Sequence, residues 1–173
     1  FEFMLDKDGL KSSDLMKMSP EEFKKYTMGP ESKRGFAKNL TKKQLELWIA
    51  GRLGIIIDGT GKDYGQLAKM KKKLEDIGYD TNMVFVNTSL PVAQERNQMR
   101  DRTLPTDMVE EMWDQVQQNI GKFQSLFKNN MVIVDNSEVG DFNKMHGEKI
   151  KAIEKLVKSP VKNTKGKAWM KSQ

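Results

Sequence analysis

The chain has 173 residues, of which 37% are hydrophobic and 31% charged, with a formal net charge of +6; this is typical of one globular domain with a single core. Cysteine is absent and His146 is the only histidine, which excludes disulfides, thiolate metal sites and multi-histidine metal centres. The sequence has no apolar run of 18 residues and no signal-peptide pattern, so we predict a cytoplasmic protein that does not enter a membrane.

The first 50 residues are polar and irregular apart from two helix starts. In "SPEE", Ser19 stands at the N-cap, Pro20 at the first helical position and Glu22 three residues after the cap. This pattern is a capping box and predicts a helix. "TKKQ" at 41–44 has the same form and predicts that a second helix begins there.

A regular alternation of strands and helices begins at residue 55. The β-branched run Ile55–Ile57 predicts a strand buried on both faces. Apolar residues at spacings of three and four predict a helix over 63–77 that ends at Gly78, and "NMVFVN" predicts a second buried strand over 82–87. A strand, a helix and a strand in this order form a βαβ unit, so the fold class is α/β with a parallel sheet.

The rest of the chain continues this pattern. We predict a helix over 90–101, a long helix from Thr106 with an apolar stripe that reaches Phe127, a third strand over 131–134 and a last helix over 143–157. Residues 158–173 contain five lysines and no acidic residue, which predicts a basic, flexible tail. Such a tail either recruits a polyanion such as nucleic acid or simply remains solvated.

"GTGK" at 59–62 is the one candidate for a phosphate-binding loop. A P-loop has the form G-x-x-x-x-G-K-[ST], but Ile56 stands where the first glycine is needed and Asp63 follows Lys62, so the stretch is not a P-loop. Asp58, at the end of the predicted strand, is the more interesting residue. Ligands of open parallel sheets bind beyond the carboxyl ends of strands, where an aspartate can hold Mg²⁺ or orient a substrate hydroxyl; alternatively, Asp58 caps the following turn.

Three arginines form the second candidate feature. Arg96 and Arg100 are four residues apart and therefore share a helix face, and Arg102 lies just beyond. Converging guanidinium groups suit a polyphosphate, because each can donate two parallel hydrogen bonds. The alternative is salt bridging on a solvated face with Glu95, Asp101 and Asp107.

Residues 45–136 combine "GIIIDGTGKD", "RNQMRDRTLPTDMV" and "MVIVDN". This combination resembles P-loop kinases of the zeta-toxin and polynucleotide-kinase type, including the stand-alone P-loop kinases of bacteriophages. The resemblance implies a P-loop NTPase-like three-layer sandwich and an ATP-dependent transfer of the γ-phosphoryl group to a hydroxyl acceptor. It also implies that Arg96, Arg100 and Arg102 form a lid over the nucleotide.

The same resemblance implies the remaining roles. ATP and Mg²⁺ are the expected cofactors, with Asp58 at the metal or the acceptor and with Thr60, Arg96, Arg100 and Asn136 at the nucleotide. The expected organisation is a single kinase-like domain over 1–157, in which 1–50 form a helical acceptor region and 51–157 a core with the arginine lid, followed by the tail over 158–173.

In kinases of this type a first strand and a G-x-x-x-x-G-K-[ST] loop precede everything quoted above, whereas this sequence begins with "FEFMLDKDG". We therefore expect an N-terminally truncated kinase. The alternative is a non-catalytic binding or regulatory module that has no P-loop and uses its basic tail to bind nucleic acid.

Overall fold

The computed structural model describes residues 1–100, 103–138 and 140–173, without the side chains of residues 142 and 143. The chain divides into two compact units. Unit 1 comprises Phe1–Asp58 and Met99–Thr103, and unit 2 comprises Gly59–Gln98 and Leu104–Gln173. Within the described parts of the chain, no helix is both long and apolar enough to cross a membrane.

Unit 1 is helical. Its elements are α1 (Glu2–Lys7), a 3₁₀ helix (Ser12–Lys17), α2 (Pro20–Thr27) and α3 (Lys33–Ala50). Leu5 and Leu15 are each 1% exposed and form its interior. The predicted capping box of α2 is confirmed, because the Ser19 hydroxyl accepts a hydrogen bond from the Glu22 N–H at 3.3 Å.

The helix predicted to begin at "TKKQ" has its N-cap nine residues earlier, at Ser32 instead of Thr41, so that prediction is wrong. Ser32, which is 3% exposed, is the N-cap of α3 and accepts a hydrogen bond from the Gly35 N–H at 3.0 Å. Thr41 instead lies inside α3, where its hydroxyl donates to the Ala37 carbonyl. Once a helix has nucleated, each added residue gains a hydrogen bond, so the later capping pattern does not start a new helix.

The prediction of a buried strand at Ile55–Ile57 is also wrong. Residues 53–60 have no regular secondary structure, and the Ile56 side chain is 96% exposed. The β propensity of isoleucine reflects packing on a pleated, half-buried surface rather than a backbone preference. This segment has no hydrogen-bonded neighbour in the sheet that the described residues form, so it forms no strand.

Unit 2 contains the sheet. Its elements are α4 (Tyr64–Asp76), β1 (Met83–Asn87), α5 (Leu90–Gln98), α6 (Thr106–Gln117), α7 (Ile120–Phe127), a 3₁₀ turn (Lys128–Asn130), β2 (Met131–Asp135), α8 (Phe142–Val157) and α9 (Thr164–Lys171). The two strands are parallel, with Phe85 opposite Ile133. The fold is therefore α/β, rich in helix, and the described residues form two strands where three were predicted.

The core of unit 2 consists of Phe85 from β1 and Phe123 and Phe127 from α7. Val84 and Val86, on the opposite face of β1, are 44% and 58% exposed. The predicted position of this strand is thus confirmed, but its predicted burial on both faces is wrong.

The long helix predicted from Thr106 is interrupted. α6 ends at Gln117 and α7 begins at Ile120. Asn119 lies at this break and is 5% exposed. Its side-chain amide donates hydrogen bonds to the carbonyls of Gly61 and Lys62, which a continuous apolar stripe does not predict.

The structure also differs from the predicted flexible tail. Asn163 caps α9, because its side-chain oxygen accepts hydrogen bonds from the N–H groups of Lys165 and Gly166. The Asp80 carboxylate accepts hydrogen bonds from the Lys162 and Asn163 N–H groups at 2.6 and 3.0 Å. A residue more than 80 positions earlier in the chain therefore orders the start of this helix.

Gly78 allows α9 to approach α4. It has φ +114°, and a Cβ atom on it would lie 2.8 Å from the backbone nitrogen of Gly166. Only glycine accommodates both this conformation and this distance without strain. The predicted helix end at Gly78 is confirmed, and the same residue also makes room for α9.

Candidate functional site

The carboxyl ends of β1 and β2 carry a network of polar groups. The Asn136 N–H donates to the Asn87 carbonyl at 2.7 Å, which extends the parallel pairing by one residue. The Thr88 hydroxyl lies 3.5 Å from the Asn136 carbonyl. These bonds hold the two chain segments side by side at the edge of a parallel sheet where ligands bind.

α6 completes this edge with two side chains. The Trp113 indole N–H donates to the Thr88 carbonyl at 2.8 Å, and the Gln117 side-chain amide donates to the Asn87 side-chain oxygen at 2.8 Å. Trp113 lies within the apolar stripe predicted from Thr106, and its indole nitrogen also positions the backbone at this edge.

Asp135 links β2 to the start of α5. Its carboxylate accepts two hydrogen bonds from Ser137, at 2.5 Å from the hydroxyl and 3.0 Å from the N–H. The Ser137 hydroxyl oxygen in turn accepts the Ser89 N–H at 2.9 Å. These Ser137 bonds, the hydroxyl first, together with the charge of His146, hold the pKa of Asp135 below its ordinary value of 3.8.

Asn97 connects the last turn of α5 to Leu104. It is 7% exposed on α5, next to Arg96. Its side-chain amide donates to the Leu104 carbonyl at 2.8 Å, and its side-chain oxygen accepts the Leu104 N–H at 3.0 Å. The sequence between Asn97 and Leu104 carries Arg100 and Arg102, so Asn97 closes the segment that carries them.

Asn119 fixes the turn that follows Thr60. Its amide donates to the carbonyls of Gly61 and Lys62 at 3.2 and 2.9 Å, and its side-chain oxygen accepts from the Lys122 ammonium at 3.1 Å. Gly61 has φ +73°, and a Cβ atom there would contact the Phe123 ring at 3.7 Å. The "GTGK" glycine thus makes a left-handed turn against the core.

Asn97 and Asn119 were not identified from the sequence. Each is a buried asparagine whose amide pairs with backbone groups of a neighbouring loop. The sequence signals were weak: Asn97 belongs to the arginine pattern "RNQMR", and Asn119 precedes Gly121 inside an otherwise helical stretch.

The predicted site residues occupy different parts of the structure. Asp58 and Arg100 are exposed residues of unit 1, Thr60 is an exposed residue of unit 2, and Arg96 and Asn136 are partly buried in unit 2. Arg102 lies outside the described residues.

The alternatives to a functional role were a turn cap for Asp58 and salt bridges with nearby acidic residues for the arginines. Within the described ranges, the Asp58 carboxylate accepts no hydrogen bond, whereas Asp63 caps α4 by accepting the Gln66 N–H at 2.8 Å. Arg96 and Arg100 form no ion pair with a described carboxylate; Asp101, one of the three proposed acidic partners, lies outside the description.

The predicted metal site depends on Asp58. Among the residues that the structure describes, no three His, Cys, Asp or Glu side chains are grouped so that they could hold a metal ion. Mg²⁺ in phosphoryl-transfer sites is bound by one or two carboxylates together with substrate phosphates and water, so a single aspartate is compatible with that cation but does not make a site alone.

Comparison with protein families gives a decisive match. The zeta toxin family model matches residues 15–146, which is more than half of the chain. The chain belongs to the zeta toxin family. The predicted resemblance is confirmed, and the match extends it from residue 45 back to residue 15, so that α2 and α3 of unit 1 are part of the zeta toxin region.

The zeta toxin family consists of P-loop NTPase-like kinases, and at the family level their activity is ATP-dependent phosphoryl transfer. Such enzymes generally use ATP and Mg²⁺. No curated protein and no solved structure matches this chain significantly. α9 lies outside the matched region.

Proposed function

We propose that this zeta toxin family chain takes part in transfer of the γ-phosphoryl group of ATP to a hydroxyl-bearing acceptor. The family match over residues 15–146 carries this proposal. The hydrogen-bonded carboxyl edge of β1 and β2 supports it, because nucleotide sites of parallel α/β sheets lie beyond this edge.

The arginines are proposed to stabilise the charge of the transferring phosphoryl group. Arg96 lies six residues, or nearly two turns, after the start of α5, and Ser89 ties that start to the carboxyl edge. Arg100 and Arg102 occur in the segment that Asn97 closes. Because phosphoryl transfer depends on positioning and charge stabilisation, a segment with fixed ends suits a lid that excludes water.

Asp58 is proposed to act at Mg²⁺ or at the acceptor hydroxyl, and Thr60 and Asn136 to contact the nucleotide. The exposed carboxylate of Asp58, which has no hydrogen-bond donor among the described residues, supports its availability for such a role. Asn119 fixes the turn after Thr60 through the carbonyls of Gly61 and Lys62, which supports a defined backbone position next to Thr60 within unit 2.

The 173 residues contain no G-x-x-x-x-G-K-[ST] loop. The residues present therefore do not supply the backbone cradle that holds β- and γ-phosphates in P-loop kinases, and the roles proposed above concern only the side chains that are present. The finer fold proposal is a three-layer sandwich. The parallel pairing of β1 with β2 and the exposed Val84 and Val86 side chains support a sheet with a further covering layer.

The test uses the full translation product of the gene. We expect Mg²⁺-dependent ATP binding by calorimetry and slow ATP hydrolysis with water as the acceptor. Arg96→Gln and Asp58→Asn should each lower the hydrolysis rate by about 100-fold or more, while Glu110→Gln, an exposed residue of α6, should leave it unchanged. A full-length product that binds no ATP with Mg²⁺ would refute the proposal.

The absence of a P-loop within these residues favours a second candidate, a non-catalytic module. In that case the five lysines of residues 158–173 would bind nucleic acid. Replacing Lys167 and Lys171 on α9 by Gln should then weaken DNA binding, with no ATP dependence of any measured property. ATP binding by the full product separates the two candidates.

A further inference from the structure

Basic and acidic residues are nearly equal in number over residues 1–157, but one segment of unit 1 is strongly cationic. Residues 24–43 contain seven lysines and arginines and one acidic residue, Glu31. The local net charge is therefore +6 within 20 residues, which exceeds the +5 of the C-terminal 16 residues. The segment runs from the second half of α2 into the first half of α3.

Three of these cations form a stripe along α3. Arg34, Lys38 and Lys42 follow one another at intervals of four residues, which places them on one helix face. At a rise of 1.5 Å per residue, the stripe spans about 12 Å. All three residues are exposed, and Glu46, one further step of four residues along, ends the stripe.

The stripe cations have no acidic partner in the part of the chain that the structure describes. None of the three forms an ion pair with a carboxylate of the described residues. Lys33, on a different face of the same helix, shows the contrast, because it pairs with Asp8 and lies 5.8 Å from the centre of the Tyr26 ring. Lys33 therefore has a structural role, whereas the stripe presents its charge to solvent.

A cavity adjoins the stripe. It has a volume of about 330 Å³ and is lined by Thr27, Gly29, Pro30, Arg34, Gly35, Lys38 and Asn39. The lining includes two cations, a hydroxyl group and a side-chain amide, and no carboxylate. These are the groups that contact phosphate oxygens in nucleic-acid interfaces.

We infer that the cationic stripe Arg34–Lys38–Lys42, with the adjoining cavity, binds the phosphate backbone of a nucleic acid. An open row of three charges over about 12 Å matches an extended polyanion better than a single enclosed anion. No aromatic side chain lines the cavity, so bases have no stacking platform there and binding is independent of sequence. The inference does not depend on phosphoryl transfer.

The test measures binding of a fluorescently labelled 20-base-pair DNA duplex by anisotropy across a series of salt concentrations. Each phosphate contact contributes about −0.9 to the slope of log K against log salt. Three contacts therefore account for about a 40-fold loss of affinity between 50 and 200 mM salt. The variant Arg34→Gln/Lys38→Gln/Lys42→Gln should lose the part of the salt dependence that these three phosphate contacts cause. Lys42→Gln alone should make the slope shallower by about 0.9.

The matched control is Lys149→Gln/Lys151→Gln/Lys155→Gln on α8, which removes the same charge from three exposed residues of another helix. It should retain the wild-type slope, and so should the charge-conserving Arg34→Lys. Equal weakening by both triple variants would refute a localised site. The proposal would also be refuted if millimolar inorganic phosphate displaced the duplex and the affinity for DNA did not depend on duplex length. These results would indicate a site for a small oxyanion.

Discussion

Replacing Asn97 by alanine tests whether this residue closes the arginine-bearing segment. Asn97 is 7% exposed and makes two hydrogen bonds with the backbone of Leu104, at 2.8 and 3.0 Å. Each such bond contributes about 1 kcal/mol net, so Asn97→Ala removes about 2 kcal/mol. Alanine has a better helix propensity than asparagine by about 0.6 kcal/mol, which leaves a net loss of about 1.4 kcal/mol, or about tenfold in an opening equilibrium.

The direct assay is hydrogen exchange of the Leu104 amide, whose N–H donates to the Asn97 side chain. We expect this amide to exchange at least about tenfold faster in Asn97→Ala, because the substitution removes the acceptor of its hydrogen bond and makes local opening easier. Gln98→Ala is the matched control, since Gln98 is the exposed neighbour on α5, and it should leave the exchange unchanged. Unaltered exchange of Leu104 in Asn97→Ala would refute the proposed closure.

Three further predictions follow from particular contacts. Gly78→Ala should release α9, because the residue has φ +114° and its Cβ would lie 2.8 Å from the α9 backbone. The amides at the start of α9 should then exchange their hydrogens faster. The control is Gly121→Ala, with no atom within 4 Å of its Cβ, which should be neutral or stabilise the fold by up to about 1 kcal/mol. Gly61→Ala should lower the free energy of unfolding by about 1–2 kcal/mol, because φ is +73°, and an unchanged urea midpoint would contradict this. Ser137→Ala should raise the pKa of Asp135 toward 3.8, because the largest cause of its depression is lost. A carboxyl group whose pKa is lower in the folded than in the unfolded state stabilises the fold above its unfolded pKa, and this stability is lost as the pH falls through the folded pKa. Ser137→Ala should therefore reduce the stability that Asp135 contributes above its unfolded pKa and that is lost on acidification. An NMR titration in which the Asp135 carboxyl pKa does not rise would contradict the effect of the Ser137 hydrogen bond.

The sequence by itself determined the elements whose signals are local. The Ser19 capping box, the periodicity of α4 and the glycine at its end, and the apolar runs of β1 and β2 all gave elements at the predicted positions. Caps, spacing and turn residues act over a few positions of the chain. The arginine pattern and the strand sequences also carried enough family signal to predict the zeta toxin resemblance that the family match confirms.

Tertiary structure alone decided the elements and contacts that need a distant partner. The Ile55–Ile57 run has the composition of a strand but no sheet neighbour among the described residues, and a strand is stable only when its backbone groups are paired. α9 is ordered through Asp80 and Gly78, which lie about 80 residues earlier in the chain.

The same reason explains why the buried asparagines were missed. The residues near Asn97 and Asn119 in the sequence do not indicate which carbonyl accepts a hydrogen bond from each side-chain amide. Both hydrogen bonds form only when the helices and loops have packed. Burial of an amide costs free energy unless it is hydrogen-bonded, so these side chains are fixed by contacts that the folded chain supplies. Local chemistry therefore predicted the elements and the family, whereas long-range pairing fixed the carboxyl edge of the sheet, the turn after Thr60 and the contact of Asn97 with Leu104.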